Sequence, residues 1–169
     1  MDVLEAIRTR RSVRHFTGRP VAEEILQTLL QAAMQAPSAV NAQTWQFVLL
    51  TELALLREVT TFHPSAEAAL EAQAGILVCG DESLQKRPNR WVMDCSAAAE
   101  NILLAAHGLG LGGVWLGLYP ESDRMAGMSK LVNLPGDVHP LALIALGYPV
   151  SDSAPVDRFL PERIHRNHW

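Results

Sequence analysis

The sequence predicts a layered α/β protein, because short apolar stretches typical of strands are separated by stretches with helical periodicity. The chain has 169 residues, of which 49% are hydrophobic and 19% charged, so it is long enough to bury a core and has an ordinary folded composition. No internal repeat or low-complexity stretch marks a boundary, and residues 1–169 are therefore expected to form one domain.

The first half of the chain begins with two amphipathic helices. Asp2 and Glu5 have the spacing of a capping box, which predicts a helix with an apolar stripe over about residues 2–10. Apolar residues at helical spacing predict a second helix over residues 22–36, which Pro37 ends. A strand over residues 46–50 and helices over residues 53–62 and 65–74 are expected next.

The second half alternates strands and helices before an irregular tail. Strands are predicted over residues 75–80, 113–119 and 141–147, and helices over residues 91–109 and from a Ser122 cap to about residue 132. The 91–109 helix is apolar nearly all round, so several sides need cover, and a subunit interface is one way to provide it. The tail from Tyr148 is too polar and proline-rich for a core, so it either frays or lies across another surface, such as a partner subunit.

Charge and cysteine content argue against several classes of protein. The formal net charge of -4 is unlike that of a general nucleic-acid binder. Cys79 and Cys95 lack CxxC spacing, so no disulfide framework or zinc-thiolate site is expected, and each thiol should lie in the core. The histidines are scattered, and no metal site is predicted. No signal peptide or bilayer-length apolar stretch is visible, so a cytoplasmic protein is expected.

The glycines between Gly108 and Gly113 follow a predicted helix and precede a predicted strand. A dinucleotide-binding fingerprint has the opposite order, with glycines between a strand and the start of a helix. No Rossmann NAD site is therefore predicted, and Gly108 or Gly110 is expected to end the helix. Nucleophilic catalysis has no signature either, since Ser12 and Ser38 lack a Gly-x-Ser-x-Gly context.

Arg10, Arg11 and Arg14 crowd around Ser12 directly after the first predicted helix. Guanidinium groups are forked, permanently charged donors that match phosphate oxygens. On an acidic protein such a local positive cluster suits one small anionic ligand, such as the phosphate end of a flavin nucleotide. The alternative is a solvated basic turn at a helix end.

Several segments, taken in order, resemble the nitroreductase family. They are Arg-Arg-Ser-Val-Arg-His-Phe at 10–16, Ala-Pro-Ser-Ala-Val-Asn-Ala-Gln-Thr-Trp-Gln-Phe at 36–47, the stretch 91–106 with Asp94, Gly-Leu-Gly at 110–112 leading to Trp-Leu-Gly at 115–117, Ala-Leu-Gly-Tyr-Pro at 145–149, and the ending 158–169. The resemblance implies an α+β fold with a mixed central sheet and helices on both faces, in three α/β/α layers. It also implies a homodimer with one FMN in each of two sites across the interface, and a C-terminal tail that extends onto the partner subunit.

The same resemblance implies which residues bind the phosphate side of FMN. Arg10, Arg11 and Ser12 would hold the phosphate and ribityl chain, joined by Arg158 from the tail. Arg14 would lie near the pyrimidine end of the flavin ring and polarise it. No side chain is assigned a certain catalytic role, because the flavin itself carries the chemistry.

A loop and a strand are implied to contact the flavin ring. Pro37, Ser38 and Asn41 would reach it from the partner subunit, and Gln43 would support their loop. Leu116 and Gly117 would present backbone to the flavin. Two departures from the family pattern stand out: Thr44 replaces a usual proline, and residues 58–85 contain no lysine or arginine, which would leave Arg14 as the only cation at the ring.

The activity implied is that of an FMN-dependent oxidoreductase, a flavoprotein that transfers hydride from NADH or NADPH to a small electrophile such as a nitroaromatic or a quinone. Donor and acceptor would use the flavin in turn, with ping-pong kinetics. The alternatives are enal reduction or reductive dehalogenation in the same family, and a flavin store or sensor without turnover. A phosphate-binding regulatory module is a further alternative, and it predicts a colourless protein.

Overall fold

A computed structural model describes residues 1–151, 154 and 156–169. Within these residues the helices are α1 (Val3–Thr9), α2 (Glu23–Met34), α3 (Leu53–Glu58), α4 (Trp91–Gly108) and α5 (Ser122–Leu131). The strands are β1 (Trp45–Leu50), β2 (Ala74–Asp81), β3 (Gly112–Gly117) and β4 (Val138–Gly147). None of the described helices combines the length and apolar composition needed to cross a membrane.

The helix-terminus predictions are largely confirmed. The Asp2 carboxylate accepts the amides of Leu4 and Glu5 at 2.8 and 3.1 Å, which caps α1. Gly110 takes a left-handed φ of 79° directly after α4, where the amide of Leu111 donates to the Ala106 carbonyl. Ser122 is the first residue of α5 and not its cap, since the cap position belongs to Glu121.

The alanine-rich stretch 65–74 is not the predicted helix. It forms a short 3₁₀ turn at Glu67–Leu70, and the predicted helix 53–62 continues beyond Glu58 only as a 3₁₀ turn at Val59–Thr61. The β-branched residues 59–61 weaken a helix at this point, and the chain between them and the start of β2 at Ala74 packs its alanines on the sheet instead. The buried alanines of this stretch pack against the sheet, namely Ala66, Ala68, Ala69 and Ala72.

The strands form one sheet in the order β1-β2-β4-β3, and each neighbouring pair is antiparallel. The predicted α+β class is confirmed. The predicted mixed sheet is not, because β1 to β4 pair only in antiparallel fashion. Parallel pairing occurs at an isolated bridge between Ser12 and Gly113.

Helices cover both faces of the sheet, as the three-layer prediction requires. Successive strand residues point to opposite faces, so each central strand contributes to two cores. α2 and α4 cover one face, with the buried side chains Leu26, Leu29, Ile102, Ile76 and Ile144. α3 and α5 cover the other face, with Leu56, Met128, Leu77 and Leu143. Each such side chain contributes about 1.5–3 kcal/mol of burial energy.

Residues 10–16, called the arginine segment below, lie along one end of the sheet. The Val13 amide donates to the Gly113 carbonyl at 3.0 Å, and Phe16 is bridged to Pro149. Two strand-end glycines allow this close approach, since a Cβ on Gly112 would meet Val13 at 2.7 Å and one on Gly147 would meet Phe16 at 2.9 Å. Gly112 and Gly147 therefore allow the arginine segment to pack directly against the ends of the strands.

α1 and the tail expose apolar side chains that a soluble monomer would normally bury. The apolar stripe of α1 faces outward, with Val3 68%, Leu4 64% and Ile7 54% exposed, while Ala6 is buried. In the tail, Phe159 is 70% exposed and Trp169 fully so. Exposed apolar surface of this extent is typical of a protein–protein interface.

Candidate functional site

The end of α1 and the first two residues of the arginine segment line a cavity of about 600 Å³, called the arginine pocket below. Residues 7–11 line it on one side and residues 156–159 on the other, so the structure brings Arg10, Arg11 and Arg158 together as predicted. The helical conformation ends at Arg10, whose amide donates to the Ala6 carbonyl before the chain becomes extended. Ser12 follows on the exposed surface and is not among the lining residues.

The two arginines at the end of α1 differ in how much of their donor capacity is already used. The Arg11 guanidinium donates to the carbonyls of Arg8, Arg10 and Val156 at 3.1, 2.7 and 3.2 Å. Its Nε is buried and has no hydrogen-bond partner. The Arg10 Nε lies 3.4 Å from the Glu100 carboxylate, and its side chain is only 20% exposed.

This donor set fits an oxyanion of phosphate size. A buried guanidinium N–H without a partner is costly, and a phosphate oxygen would satisfy it with a charge-assisted hydrogen bond. Arg10 and Arg158 add positive charge to the same cavity. The arginine pocket thus has the chemistry expected for the phosphate end of a nucleotide.

Arg14 lies in a different cavity, of about 590 Å³, which it lines with His15 and residues between Pro64 and Glu71. Glu71 fixes the backbone here, since its Oε2 accepts the Phe16 amide at 3.0 Å and its Oε1 lies 3.2 Å from His15 Nδ1. The Phe16 amide and, next, the His15 hydrogen bond hold the pKa of Glu71 below its ordinary value. Arg14 itself is exposed, so its charge is available to a ligand.

Residues 37–43, called the strained loop below, connect α2 to β1. Val40, Asn41 and Gln43 have φ values of 49°, 53° and 52°, in the left-handed region that non-glycine residues avoid. Each such residue costs roughly 1–3 kcal/mol, least for asparagine and most for a β-branched residue such as valine. Val40 remains 55% exposed, so burial of its side chain does not offset this cost.

The strained loop is held by hydrogen bonds at both ends. The buried Asp94 carboxylate accepts the Ala39 amide at 2.9 Å and the Thr44 hydroxyl at 3.2 Å. The Gln43 amide donates to Ser38 Oγ at 3.0 Å. Thr44, which departs from the family pattern in replacing proline, thus supplies a hydroxyl that a proline could not. Backbone strain stored in this way is characteristic of functional sites.

The arginine pocket and the strained loop lie at diagonally opposite corners of the sheet. Gly113, beside the arginine segment, pairs with Leu146 of β4. Trp45, which follows the strained loop, pairs with Gly80 of β2, and Gly80 in turn pairs with His139 of β4. The stretch of β4 between Leu146 and His139 is about 23 Å long, and the three strand spacings from β3 to β1 add about 14 Å across the sheet. One chain cannot bring both regions to one small ligand.

Sequence reasoning did not find the cation beside Gly117. Arg124 of α5 donates from Nη1 to the Gly117 carbonyl at 3.2 Å, so Arg14 is not the sole cation near the predicted ring contacts. The same cluster includes His63, which is buried, with its Nε2 unpartnered. Burial and, next, the Arg124 charge lower the pKa of His63. Arg124 lies in an ordinary amphipathic helix, and only the fold reveals what it contacts.

The cysteines lie in the core, as predicted. Both are buried, the Cys95 thiol donates to the Cys79 carbonyl, and burial raises the pKa of each thiol to about 12. Neither is a nucleophile at neutral pH. Across the described residues, no group of three or more His, Cys, Asp or Glu side chains is arranged to hold a metal ion.

The chain is similar to known proteins along almost its whole length. The family model described as the nitroreductase family matches residues 7–90 and 64–148. A Methanothermobacter thermautotrophicus protein, provisionally named an NADH dehydrogenase/NAD(P)H nitroreductase, is 47% identical over 169 residues, covering 100% of this chain and 88% of the relative.

Two solved structures with ligands share the fold. A provisionally named nitroreductase from Desulfovibrio desulfuricans, in complex with FMN, has a TM-score of 0.85 and 29% identity, over 100% of this chain and 98% of that one. The NADPH:FMN oxidoreductase from Vibrio harveyi, complexed with NAD+, has a TM-score of 0.85 and 27% identity, over 99% of this chain and 77% of that one.

Proposed function

This chain belongs to the nitroreductase family of NAD(P)H-dependent flavin oxidoreductases, and we propose that it works as a homodimer with two FMN sites across the interface. Each subunit would be a single domain spanning residues 1–169. The substrates we propose are NADH or NADPH as the hydride donor and a small electrophile, such as a nitroaromatic or a quinone, as the acceptor. The observation that carries the proposal is the arginine pocket, with its buried, unpartnered Arg11 Nε.

In this proposal the arginine segment binds the phosphate side of the cofactor. Arg10, Arg11 and Arg158 line the pocket, and Ser12, the residue after Arg11, is exposed. The bound FMN supplies a ring that accepts hydride and passes it on. The protein binds and orients this ring, and Arg14 places a positive charge where the pyrimidine end would lie.

The distance between the two regions supports a dimer. Because the strained loop cannot reach the arginine pocket of its own chain, we propose that Pro37, Ser38 and Asn41 contact the FMN of the partner, with Gln43 supporting their loop. Leu116 and Gly117 present backbone from the chain that holds the phosphate.

The exposed stripe of α1 and the apolar tail residues would supply the interface. Val3, Leu4 and Ile7 would be covered by the partner, and the tail would extend across the partner's surface. Burial of these side chains would account for apolar exposure that the single chain leaves unexplained.

A cytoplasmic location is part of the proposal, since NAD(P)H is the reductant and both cysteines are free thiols. The lack of lysine or arginine at residues 58–85 favours the alternative of a flavin store without turnover. Arg124, which bonds to the Gly117 carbonyl, supplies another cation near the proposed ring contacts and supports turnover.

The test begins with the absorption spectrum of the purified protein. We expect a yellow protein with bound FMN, and bleaching within seconds of anaerobic addition of NADH or NADPH. A colourless protein that does not take up added FMN would contradict the proposal. A yellow protein that neither nucleotide bleaches would instead indicate a passive flavin binder.

Steady-state kinetics test the shared site. Parallel double-reciprocal lines with a quinone or nitroaromatic acceptor are expected if donor and acceptor use one flavin face in turn. Intersecting lines would contradict it. Sedimentation of the purified protein at the mass of two chains is expected, and a monomer that nonetheless turns over would exclude the composite site.

A further inference from the structure

Asp94 lies beneath the strained loop and contacts both of its ends. The side chain is 4% exposed, and its two oxygens accept the Ala39 amide and the Thr44 hydroxyl at 2.9 and 3.2 Å. Both donors are neutral. A buried carboxylate is costly unless it is hydrogen-bonded, and the first turn of α4 adds the favourable end of a helix dipole.

We propose that Asp94 is a positioning residue, which holds the strained loop in the one conformation that suits the flavin ring of the partner subunit. This inference rests on the proposed function, because only a bound ring gives the loop conformation a chemical purpose. Asp94 itself would touch neither FMN nor substrate. It would act through Ala39 and Thr44.

The need for such a residue follows from the loop's own sequence. Residues 37–43 contain no glycine, yet Val40, Asn41 and Gln43 all have a positive φ. Nothing local favours that conformation for a β-branched residue. A contact from outside the loop must therefore select it, and Asp94 is the side chain that bonds to both ends of it.

Asp94 is also anchored rigidly enough to impose a conformation. It lies one turn after Trp91, whose ring packs on Gly80 of β2 so closely that no Cβ would fit there. The other end of the loop is fixed as well, since the Thr44 carbonyl accepts the Asp81 amide at 2.8 Å. The strained loop is thus held between α4 and the end of β2.

Substitutions at Asp94 and Thr44 separate hydrogen-bond geometry from charge. In Asp94→Asn the amide oxygen can accept from Ala39, and the amide nitrogen can donate to the Thr44 hydroxyl, which accepts as well as donates. Asp94→Ala removes both bonds, and Thr44→Val removes one with little change of shape. Ser96→Ala is a control in the same helix, because the Ser96 hydroxyl donates to the Val92 carbonyl within α4.

The experiment measures amide hydrogen exchange of residues 37–44 and the visible circular dichroism of bound FMN, in the dimer of each variant. Asp94→Ala should speed exchange of the Ala39 amide at least about tenfold, as expected for loss of a charged hydrogen bond. It should also change the flavin dichroism and lower kcat for reduction by NAD(P)H. Asp94→Asn keeps both bonds in neutral form, so its loop exchange should rise clearly less than in Asp94→Ala, and Thr44→Val, which loses one bond, should also lie between wild type and Asp94→Ala.

Three outcomes would overturn the inference. One is wild-type loop exchange in Asp94→Ala, or in Thr44→Val if the alanine variant does not fold. Another is a loosened loop with unchanged flavin dichroism and kcat, which would leave Asp94 a purely structural role. The third is Asp94→Asn behaving like Asp94→Ala. If the wild-type protein binds no FMN, the proposed function fails, whereas exchange in the flavin-free protein still tests whether Asp94 holds the loop.

Discussion

The arginine segment and the strained loop are tied to the same sheet in opposite ways. The arginine segment is paired through its backbone to the ends of β3 and β4, and its side-chain tie, Glu71, is exposed at the surface. The strained loop has a buried side-chain tie, the Asp94 carboxylate. The difference matches the role proposed for each region. Charged side chains can follow a phosphate from a simple extended backbone, whereas contacts to a flat ring need one fixed loop shape.

The two regions also differ in which group is held in an unfavourable state, a polar donor in one and the backbone in the other. The arginine segment keeps a donor unsatisfied, since Arg11 Nε is buried without a partner. The strained loop is hydrogen-bonded through Ala39 and Thr44 but holds residues in a costly backbone conformation. A ligand that bonds to Arg11 Nε would therefore gain affinity from that hydrogen bond. A ligand at the strained loop would meet a backbone conformation that is already formed.

Arg10→Ala should have the largest effect on the arginine side of this comparison. Loss of a charge-assisted hydrogen bond to phosphate should raise the Kd for FMN about 10- to 100-fold. Exchange of the strained loop should not change. Equilibrium dialysis with FMN measures the Kd, and Arg57→Ala, on an exposed position of α3, is the control. Full retention of FMN by Arg10→Ala would show that the pocket does not bind the phosphate.

Mixed dimers test whether the two regions meet across subunits. A dimer of an Arg10→Ala chain with an Asp94→Ala chain keeps one intact composite site, so it should hold about half of the wild-type FMN with wild-type dichroism. A dimer of wild type with the double variant carries the same substitutions but keeps no intact site. Differently tagged, co-expressed chains allow both to be purified. Identical results for the two dimers would show that the regions do not share a site.

Arg14→Ala should leave FMN bound but slow its reduction. The residue lies outside the arginine pocket, so affinity depends little on it, whereas a lost positive charge near the ring should slow hydride acceptance roughly tenfold at an exposed position. Stopped-flow absorbance with NADH or NADPH measures the rate. Arg14→Lys keeps the charge and should restore most of it. Unchanged kinetics in Arg14→Ala would leave Arg14 as a surface charge.

Acid should loosen the arginine segment while the central sheet is still protected. The Phe16 amide and His15 hold the pKa of Glu71 below its ordinary value of 4.5, so this tie is complete above pH 4.5 and is lost as the pH falls through the lowered value. The exchange protection of the Phe16 amide should fall over that range, with Leu77 in β2 as the control for global unfolding. In Glu71→Gln the dependence should disappear. A steep dependence that persists there would assign it to another group.

Features set by short-range patterns could be predicted from the sequence. The capping of α1 by Asp2, the burial of Cys79 and Cys95, and the end of α4 near Gly110 depend on neighbouring residues or on apolar runs. The arginine cluster was recognisable for the same reason, since its members are adjacent in the chain. Only its division into two cavities required the fold.

Features set by distant contacts could not be predicted. Asp94 is far along the chain from Ala39 and Thr44, and no local pattern links them. Arg124 meets Gly117 only because α5 folds back on β3. The stretch 65–74 has the alanine content of a helix, but the start of β2 and packing against the sheet override that propensity. A valine with a positive φ runs against every local preference.

The bridge between Ser12 and Gly113 has a consequence for aggregation. β3 is an edge strand of the sheet, and unpaired edges invite pairing with other chains. The arginine segment covers the start of that edge through the Val13–Gly113 hydrogen bond. The arginine segment, which we propose binds the phosphate, therefore also covers part of a strand edge that could pair with another chain. A cofactor that holds this segment in place would therefore also limit unwanted strand pairing at the β3 edge.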